Sequence, residues 1–259
     1  MGLINYLIMA IDNTGYRGWI YQGWIVVVYI VVAVFNLFWR RHYDYKWFRT
    51  LLITLACLLS FDLLLMLVGW ALTGFDTFGM KDYVAGCLFV PLLVMAFSKV
   101  FKDDWRRMLD FMTPGYMLAL VMIKISCCFA GCCFSFPMAH GMWNPIFEQY
   151  LFPLQIVEGV VALLLTVVLM HIAKKRDYRV TGNLYAWLLI LYGGTRFFLE
   201  FARVNVKVVA GISVYGFWAL LTLLVGIIWL IADRRRVRKL AEADTETNAE
   251  ETEESETSE

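Results

Sequence analysis

Residues 154–176 read LQIVEGVVALLLTVVLMHIAKKR, an apolar run that opens around one carboxylate, Glu158, and stops at three consecutive cations, Lys174, Lys175 and Arg176. A helix over 154–172 rises ~1.5 Å per residue, close to the ~30 Å of a bilayer's hydrocarbon core. Comparable runs recur on both sides of it, at roughly 18–38, 50–72, 83–101, 108–130, 183–202 and 211–232. The spacing predicts an all-α integral membrane protein of about seven transmembrane helices. Composition agrees: 61% of the 259 residues are hydrophobic and 17% charged, and the mean hydropathy is +0.65. An ordinary soluble domain is excluded.

Orientation follows from where Lys and Arg collect, because short loops rich in them stay cytoplasmic. Arg40, Arg41, Lys46 and Arg49 follow the first run, and Lys99, Lys102, Arg106 and Arg107 the third. Lys174, Lys175, Arg176 and Arg179 follow the fifth, and Arg234, Arg235, Arg236, Arg238 and Lys239 the seventh. Seventeen of the 23 cations thus fall on one side, which places the N-terminus outside and the C-terminus in the cytoplasm. The net charge of +1 hides this segregation and argues nothing about partners.

Residues 1–235 are expected to form the membrane domain and 236–259 a charged, mainly acidic cytoplasmic tail. Nine acidic groups and no aromatic residue over 241–259 predict disorder there, since too little surface can be buried to offset ordering entropy. Asp12 and Arg17 precede the first run without a small-residue cleavage site, so that helix is expected to stay in the membrane. The longest outer connection, about 131–153, carries Pro137, Pro145 and Pro153 with several aromatics, which suits a loop resting at headgroup level over a site.

Charged residues inside spans are expensive and point to function. In the sixth run Tyr192, Arg196, Glu200 and Arg203 recur at intervals of 4, 4 and 3 and share one helical face. Lys124 lies about six residues from the outer end of the fourth span, at a depth similar to Arg196. Two buried cations need an anion, and Glu200, Glu158, Asp62 or a lipid phosphate can supply it. A structural ion pair of Arg196 with Glu200 and snorkelling of Lys124 to the headgroups are the plain alternatives.

Four of the six cysteines, Cys127, Cys128, Cys132 and Cys133, fall within seven residues. Cys128 and Cys132 share a helical face and stand at disulfide spacing. Small thiols beside Gly131 also suit close helix packing. Histidine and carboxylate neighbours at metal spacing are missing, so no metal or cofactor is expected.

Three blocks resemble the bacterial prolipoprotein diacylglyceryl transferases over about residues 80–235. Lys124 to Phe134 is similar to the family's Gly-Arg-Ile-Gly-Asn/Cys-Phe signature, in the version that continues Leu-Ala-Gly-Cys-Cys-Tyr-Gly. Pro153-Leu-Gln155-Ile-Val-Glu158 resembles its Pro-Thr-Gln-Leu-Tyr-Glu block. Leu191 to Arg203 resembles its Tyr-Gly-x-x-Arg-Phe-x-x-Glu-Phe-x-Arg block, the most specific of the three.

The resemblance implies seven helices in a multi-pass bacterial plasma (inner) membrane protein. It also implies transfer of a diacylglyceryl group from phosphatidylglycerol to the lipobox cysteine of a prolipoprotein signal peptide. Membrane lipids and that peptide are the implied partners, with no nucleic acid. It implies a lipid phosphate between Lys124, Arg196 and Arg203, and Arg196, Glu200 and Tyr192 as catalytic residues. Gln155, Glu158, Cys127, Cys132 and Gly131 support them. The chain departs from the pattern where the family opens its third helix with His-Gly-Gly: Tyr83-Val84-Ala85-Gly86 stands there, leaving His140 as the outward histidine. Lys124 also replaces the signature arginine. Two alternatives follow, a catalytically silent relative that binds anionic lipid or a signal peptide, and a membrane redox or metal-handling protein.

Overall fold

The computed structural model describes residues 5, 8, 9, 17–72, 83–133, 135–144, 146–203, 207–209 and 211–257, with side chains left out at 17–22, 69, 72, 207–209 and 237–257. Expectations for Asp12 and Pro145 lie outside these described parts, as do those for the side chains of Arg17, Arg238 and Lys239. Among the described residues seven long helices form the framework: α1 (Arg17–Trp39), α2 (Trp47–Leu72), α3 (Tyr83–Phe101), α4 (Trp105–Ala130), α5 (Leu154–Lys175), α6 (Asn183–Glu200) and α7 (Val214–Thr257). A short 3-10 turn over Arg40–Tyr43 ends the first.

Six of these helices are long and apolar enough to cross a membrane. The exception, α6, carries Asn183, Arg196 and Glu200. Outward faces are apolar as a bilayer requires: Val26, Ile30 and Val34 on α1, and Val160, Leu163, Leu164 and Val167 on α5, all stand exposed. The interior is aromatic and tightly filled around Phe111, Tyr116 and Tyr185.

Observed boundaries depart from the sequence expectation by a few residues, each for a local reason. Helix α4 starts at Trp105, where Asp104 caps it by accepting the Arg106 N–H at 3.0 Å. Helix α7 starts at Val214 because an antiparallel hairpin, β3 (Lys207–Val209) with β4 (Ile212–Ser213), takes the residues before it. The connection over 131–153, expected on the outer side, folds as a second hairpin, β1 (Pro137–Asn144) with β2 (Gln149–Leu151), so among the described residues two small sheets accompany the helices. Its tip exposes Ile146 and Phe147, apolar groups fitted to the headgroup boundary. Backbone of α7 is helical to Thr257; the acidic tail's disorder remains an expectation from composition.

Two contacts draw the basic ends of the helices together. Arg49 donates to the Phe101 carbonyl at 2.8 Å, joining the start of α2 to the end of α3. Asp110 on α4 accepts the N–H groups of Thr181, Gly182 and Leu184 at 2.8–3.0 Å. A carboxylate thus satisfies the orphan donors at the N-terminus of α6, where the helix dipole favours negative charge. The C-terminal end of α6 is thereby directed to the opposite side of the bundle, where both hairpins lie.

Helices α6 and α7 pack at backbone distance. A Cβ added at Gly193 would lie 2.7 Å from Leu223 N and 2.9 Å from the Ala219 carbonyl oxygen. At Gly226 it would meet the Ala186 carbonyl oxygen at 2.9 Å. Small residues let membrane helices approach this closely, where van der Waals packing replaces the hydrophobic drive.

Candidate anion and thiol site

Helices α4, α5 and α6 meet under the hairpins around one carboxylate. Glu158 stands just past the first turn of α5 and is 5% exposed. Arg203, three residues beyond α6, reaches both its oxygens through Nη2 at 2.6 Å, with Nε a further 3.2 Å from Oε1. Lys124 Nζ from α4 lies 2.7 Å from Oε2. Arg196 Nη1 approaches Oε1 at 3.6 Å and holds Glu200 Oε2 at 2.6 Å. Gly159 helps Lys124 in, since a Cβ there would already touch the Lys124 Cβ at 3.4 Å.

A second layer fixes these groups. Ser213 in β4 donates to Glu200 Oε1 at 2.6 Å and accepts the Gly216 N–H at 3.1 Å. Arg203 is strapped by its backbone, which bridges to Ser135, while the Ser135 hydroxyl donates to the Ala202 carbonyl. Charges out of water are tolerable only when paired and hydrogen-bonded in this way. Burial disfavours charge on Arg203, yet Cys133 and Glu158 beside it hold its guanidinium above the ordinary range.

Three cationic side chains, Lys124, Arg196 and Arg203, face two carboxylates, Glu158 and Glu200, and Cys133 stands beside Lys124 as a further group able to carry negative charge. Beside them a recess between α4, α5 and α6 is lined by Lys124, Glu158, Tyr192, Thr195 and Arg196 on its polar side and by Leu120 and Leu199 on its apolar side. Tyr192 sits edge-on against Tyr83, their rings 5.6 Å apart. Tyr83, standing where the resemblance led to a histidine, donates to the Tyr116 carbonyl at 2.5 Å.

The cysteine stretch folds differently from a continued helix. Helix α4 stops at Ala130; Gly131 takes φ 71° and returns its N–H to the Cys127 carbonyl, a left-handed C-cap that glycine suits. Cys133 also has positive φ, 61°. The chain doubles back, and the sulfurs of Cys127, Cys132 and Cys133 lie within 4.8 Å of one another. Cys128, expected to face Cys132, instead approaches the Lys124 carbonyl through its thiol at 3.4 Å. All six cysteines are free. Hydrogen bonds from Cys127 and Cys132, with Lys124 and Arg203 alongside, hold the Cys133 thiol well below its usual value against the pull of burial.

Buried amides pin this turn: Asn144 Nδ2 donates to the Gly131 carbonyl at 2.8 Å, and Gln155 Nε2 to the Cys132 carbonyl at 2.9 Å. Lys124 Nζ lies 3.5 Å from Cys133 Sγ as well as beside Glu158, so it links the thiol turn to the ion cluster.

The structure therefore brings Lys124, Glu158, Arg196, Glu200 and Arg203 together, sets Tyr192 on their recess, and places Gly131 and Cys132 in the adjoining turn, with Cys127 on α4 and Gln155 on α5 against it. It does not bring His140 to them: that residue is exposed on β1. Asp62 lies half-buried on α2, while Lys124 and Arg196 take Glu158 and Glu200 as counter-ions. Ser213, Asn144 and Ser135 were not foreseen. Each is a single polar residue in a short strand or bridge, and no periodicity marks it.

No curated protein matches the chain. The family model for prolipoprotein diacylglyceryl transferase matches residues 69–232, well over half of the 259 and inclusive of every charged residue of the cluster. The chain belongs to the prolipoprotein diacylglyceryl transferase family.

Proposed function

We propose that this protein moves the diacylglyceryl group of phosphatidylglycerol onto the lipobox cysteine thiol of a prolipoprotein at the outer side of a bacterial plasma membrane. The observation that carries this is the convergence of Lys124, Arg196 and Arg203 around Glu158, beside a recess that Lys124, Tyr192 and Arg196 line. A phosphodiester headgroup brings one negative charge to such a site. As the bond from the diacylglyceryl carbon to the phosphate oxygen breaks, a second negative charge grows on the departing glycerol phosphate. Three fixed donors hold that product better than the starting diester, which is the difference that accelerates a reaction.

Roles follow from position. Lys124, Arg196 and Arg203 take the phosphate, Arg196 being aligned by Glu200 and Glu200 by Ser213. Tyr192 lines the recess beside them. Glu158 is the carboxylate that a phosphate must share its cations with. The acceptor thiol, with a free pKa of ~8.5, needs help to become thiolate at neutral pH.

A relative that binds anionic lipid without reacting it is the second reading, favoured by the exposure of His140 away from the cluster. Both are tested by incubating the purified chain in lipid nanodiscs with phosphatidylglycerol and a lipobox peptide, then weighing the peptide. Transfer adds one diacylglyceryl group to the cysteine and releases glycerol phosphate. An unmodified peptide, under conditions where an established family member works, supports the silent relative.

A further inference from the structure

We propose that Cys127, Cys132 and Cys133 form a three-thiolate site for a soft divalent cation of the Zn2+ class, with a fourth position open to the acceptor thiol. The cation site stands on the geometry alone; the role of its open position rests on the transferase reading above.

Sequence spacing argued against a metal because histidine and carboxylate ligands were missing, but the turn after α4 supplies three sulfurs instead. Zn–S bonds of ~2.3 Å place tetrahedral sulfurs roughly 3.8 Å apart. The three sulfurs already lie within 4.8 Å of one another, so closure onto an ion needs a movement of about an ångström. Cys128 is not part of the set, its thiol lying 3.4 Å from the Lys124 carbonyl.

The turn is braced as ligand loops are. Gly131 and Cys133 both sit at positive φ, and a non-glycine residue there is held by its surroundings at some cost. Asn144 and Gln155, both buried, accept that duty by donating to the Gly131 and Cys132 carbonyls. Hydrogen bonds of this kind orient metal ligands and set affinity. Lys124 Nζ, 3.5 Å from Cys133 Sγ, supplies positive charge to a thiolate cluster.

Three protein ligands and a vacant fourth position are the pattern of catalytic rather than structural zinc. A thiol that binds such an ion loses its proton, which answers the want of a histidine base at the neighbouring cluster. The acceptor's proton leaves to solvent and its sulfur binds the cation. The sulfur then forms the C–S bond while the C–O bond to phosphate breaks, and the electron pair goes to glycerol phosphate on Lys124, Arg196 and Arg203. No electrons are gained or lost.

The test uses the reduced, chelator-stripped full chain in nanodiscs, titrated with Co2+ as the spectroscopic probe and with Zn2+ as competitor. One Co2+ per chain is expected, with sulfur-to-cobalt charge-transfer bands and the visible bands of a tetrahedral ion, reversed by Zn2+. Cys127→Ser, Cys132→Ser and Cys133→Ser each abolish these bands and Cys128→Ser keeps them. Gln155→Ala and Asn144→Ala weaken binding by about 10–100-fold. A lipobox peptide shifts the visible bands, and its Cys-to-Ser version does not.

Absence of thiolate bands, or their equal loss in Cys128→Ser, overturns the site. Bands indifferent to the thiol peptide overturn the open position. Full transfer activity in Cys127→Ser, Cys132→Ser and Cys133→Ser overturns the catalytic role while leaving the transferase reading intact. Metal binding without transfer from any lipid does the opposite.

Discussion

Arg203 grips Glu158 through both carboxylate oxygens, each 2.6 Å from its Nη2. The two residues come from different helical regions, 45 positions apart in sequence, so the contact ties the end of α6 to the start of α5. On the proposed reading, Glu158 is the protein's own occupant of the phosphate site. Any phosphate entering beside Lys124 and Arg196 must loosen this grip, and several expectations follow from that competition.

Glu158→Gln keeps the shape but removes the charge that three cations share. Removing one partner of a buried ion network costs about 3–5 kcal/mol, so the melting temperature in detergent should fall sharply. At the same time retention of glycerol phosphate should rise, because the cations lose their internal competitor. A variant that is both as stable as the wild type and no better at holding the anion contradicts the competition.

Ser213→Ala removes the donor to Glu200 and the acceptor of the Gly216 N–H. Leaving such buried groups unpaired costs about 1–3 kcal/mol. Chemical unfolding of the two proteins in the same detergent checks the value. An unchanged midpoint means that Glu200 does not depend on the hairpin.

Neighbouring glycines on α6 should behave oppositely. Gly193→Ala forces a methyl to within 3 Å of α7 backbone, whereas at Gly194 the nearest atom is the flexible Leu223 Cδ1 at 4.0 Å. Overpacking of this kind costs about 1–3 kcal/mol. Thermal denaturation should therefore rank Gly193→Ala well below Gly194→Ala, and equal values would mean that α6 and α7 are further apart.

Arg196→Ala should lower peptide lipidation by about 100–1,000-fold, the loss seen when one fixed donor to a developing anion is removed. Arg196→Lys should recover part of it, since charge survives but the planar fork does not. Mass measurement of the peptide over time reads both. A drop below tenfold for the alanine variant removes Arg196 from the reaction.

Much of the fold was legible because its signals are periodic or cumulative. Apolar run length located the helices, and the Tyr192, Arg196, Glu200, Arg203 stripe was visible as one face. Depth counting from the end of α4 correctly put Lys124 near Arg196. What could not be read was partnership across helices: Glu158 was one of several candidate anions, and only packing makes it the hub. The cysteine pattern misled for a definite reason. Helical spacing pairs Cys128 with Cys132, but Gly131 ends the helix and the left-handed turn delivers Cys132 and Cys133 to Cys127 instead. Ser213 and Asn144 act from hairpins, where a single polar residue carries no pattern to detect.

On the proposed reading, the cluster of Lys124, Arg196 and Arg203 holds the phosphate of an anionic lipid. The most direct test of this is native mass spectrometry of the chain released from nanodiscs containing equal amounts of phosphatidylglycerol and phosphatidylethanolamine. The wild type should retain one phosphatidylglycerol in preference to the zwitterionic lipid, and Arg203→Gln should lose that preference. Equal retention of both lipids by the wild type, or an undiminished preference in Arg203→Gln, contradicts the account.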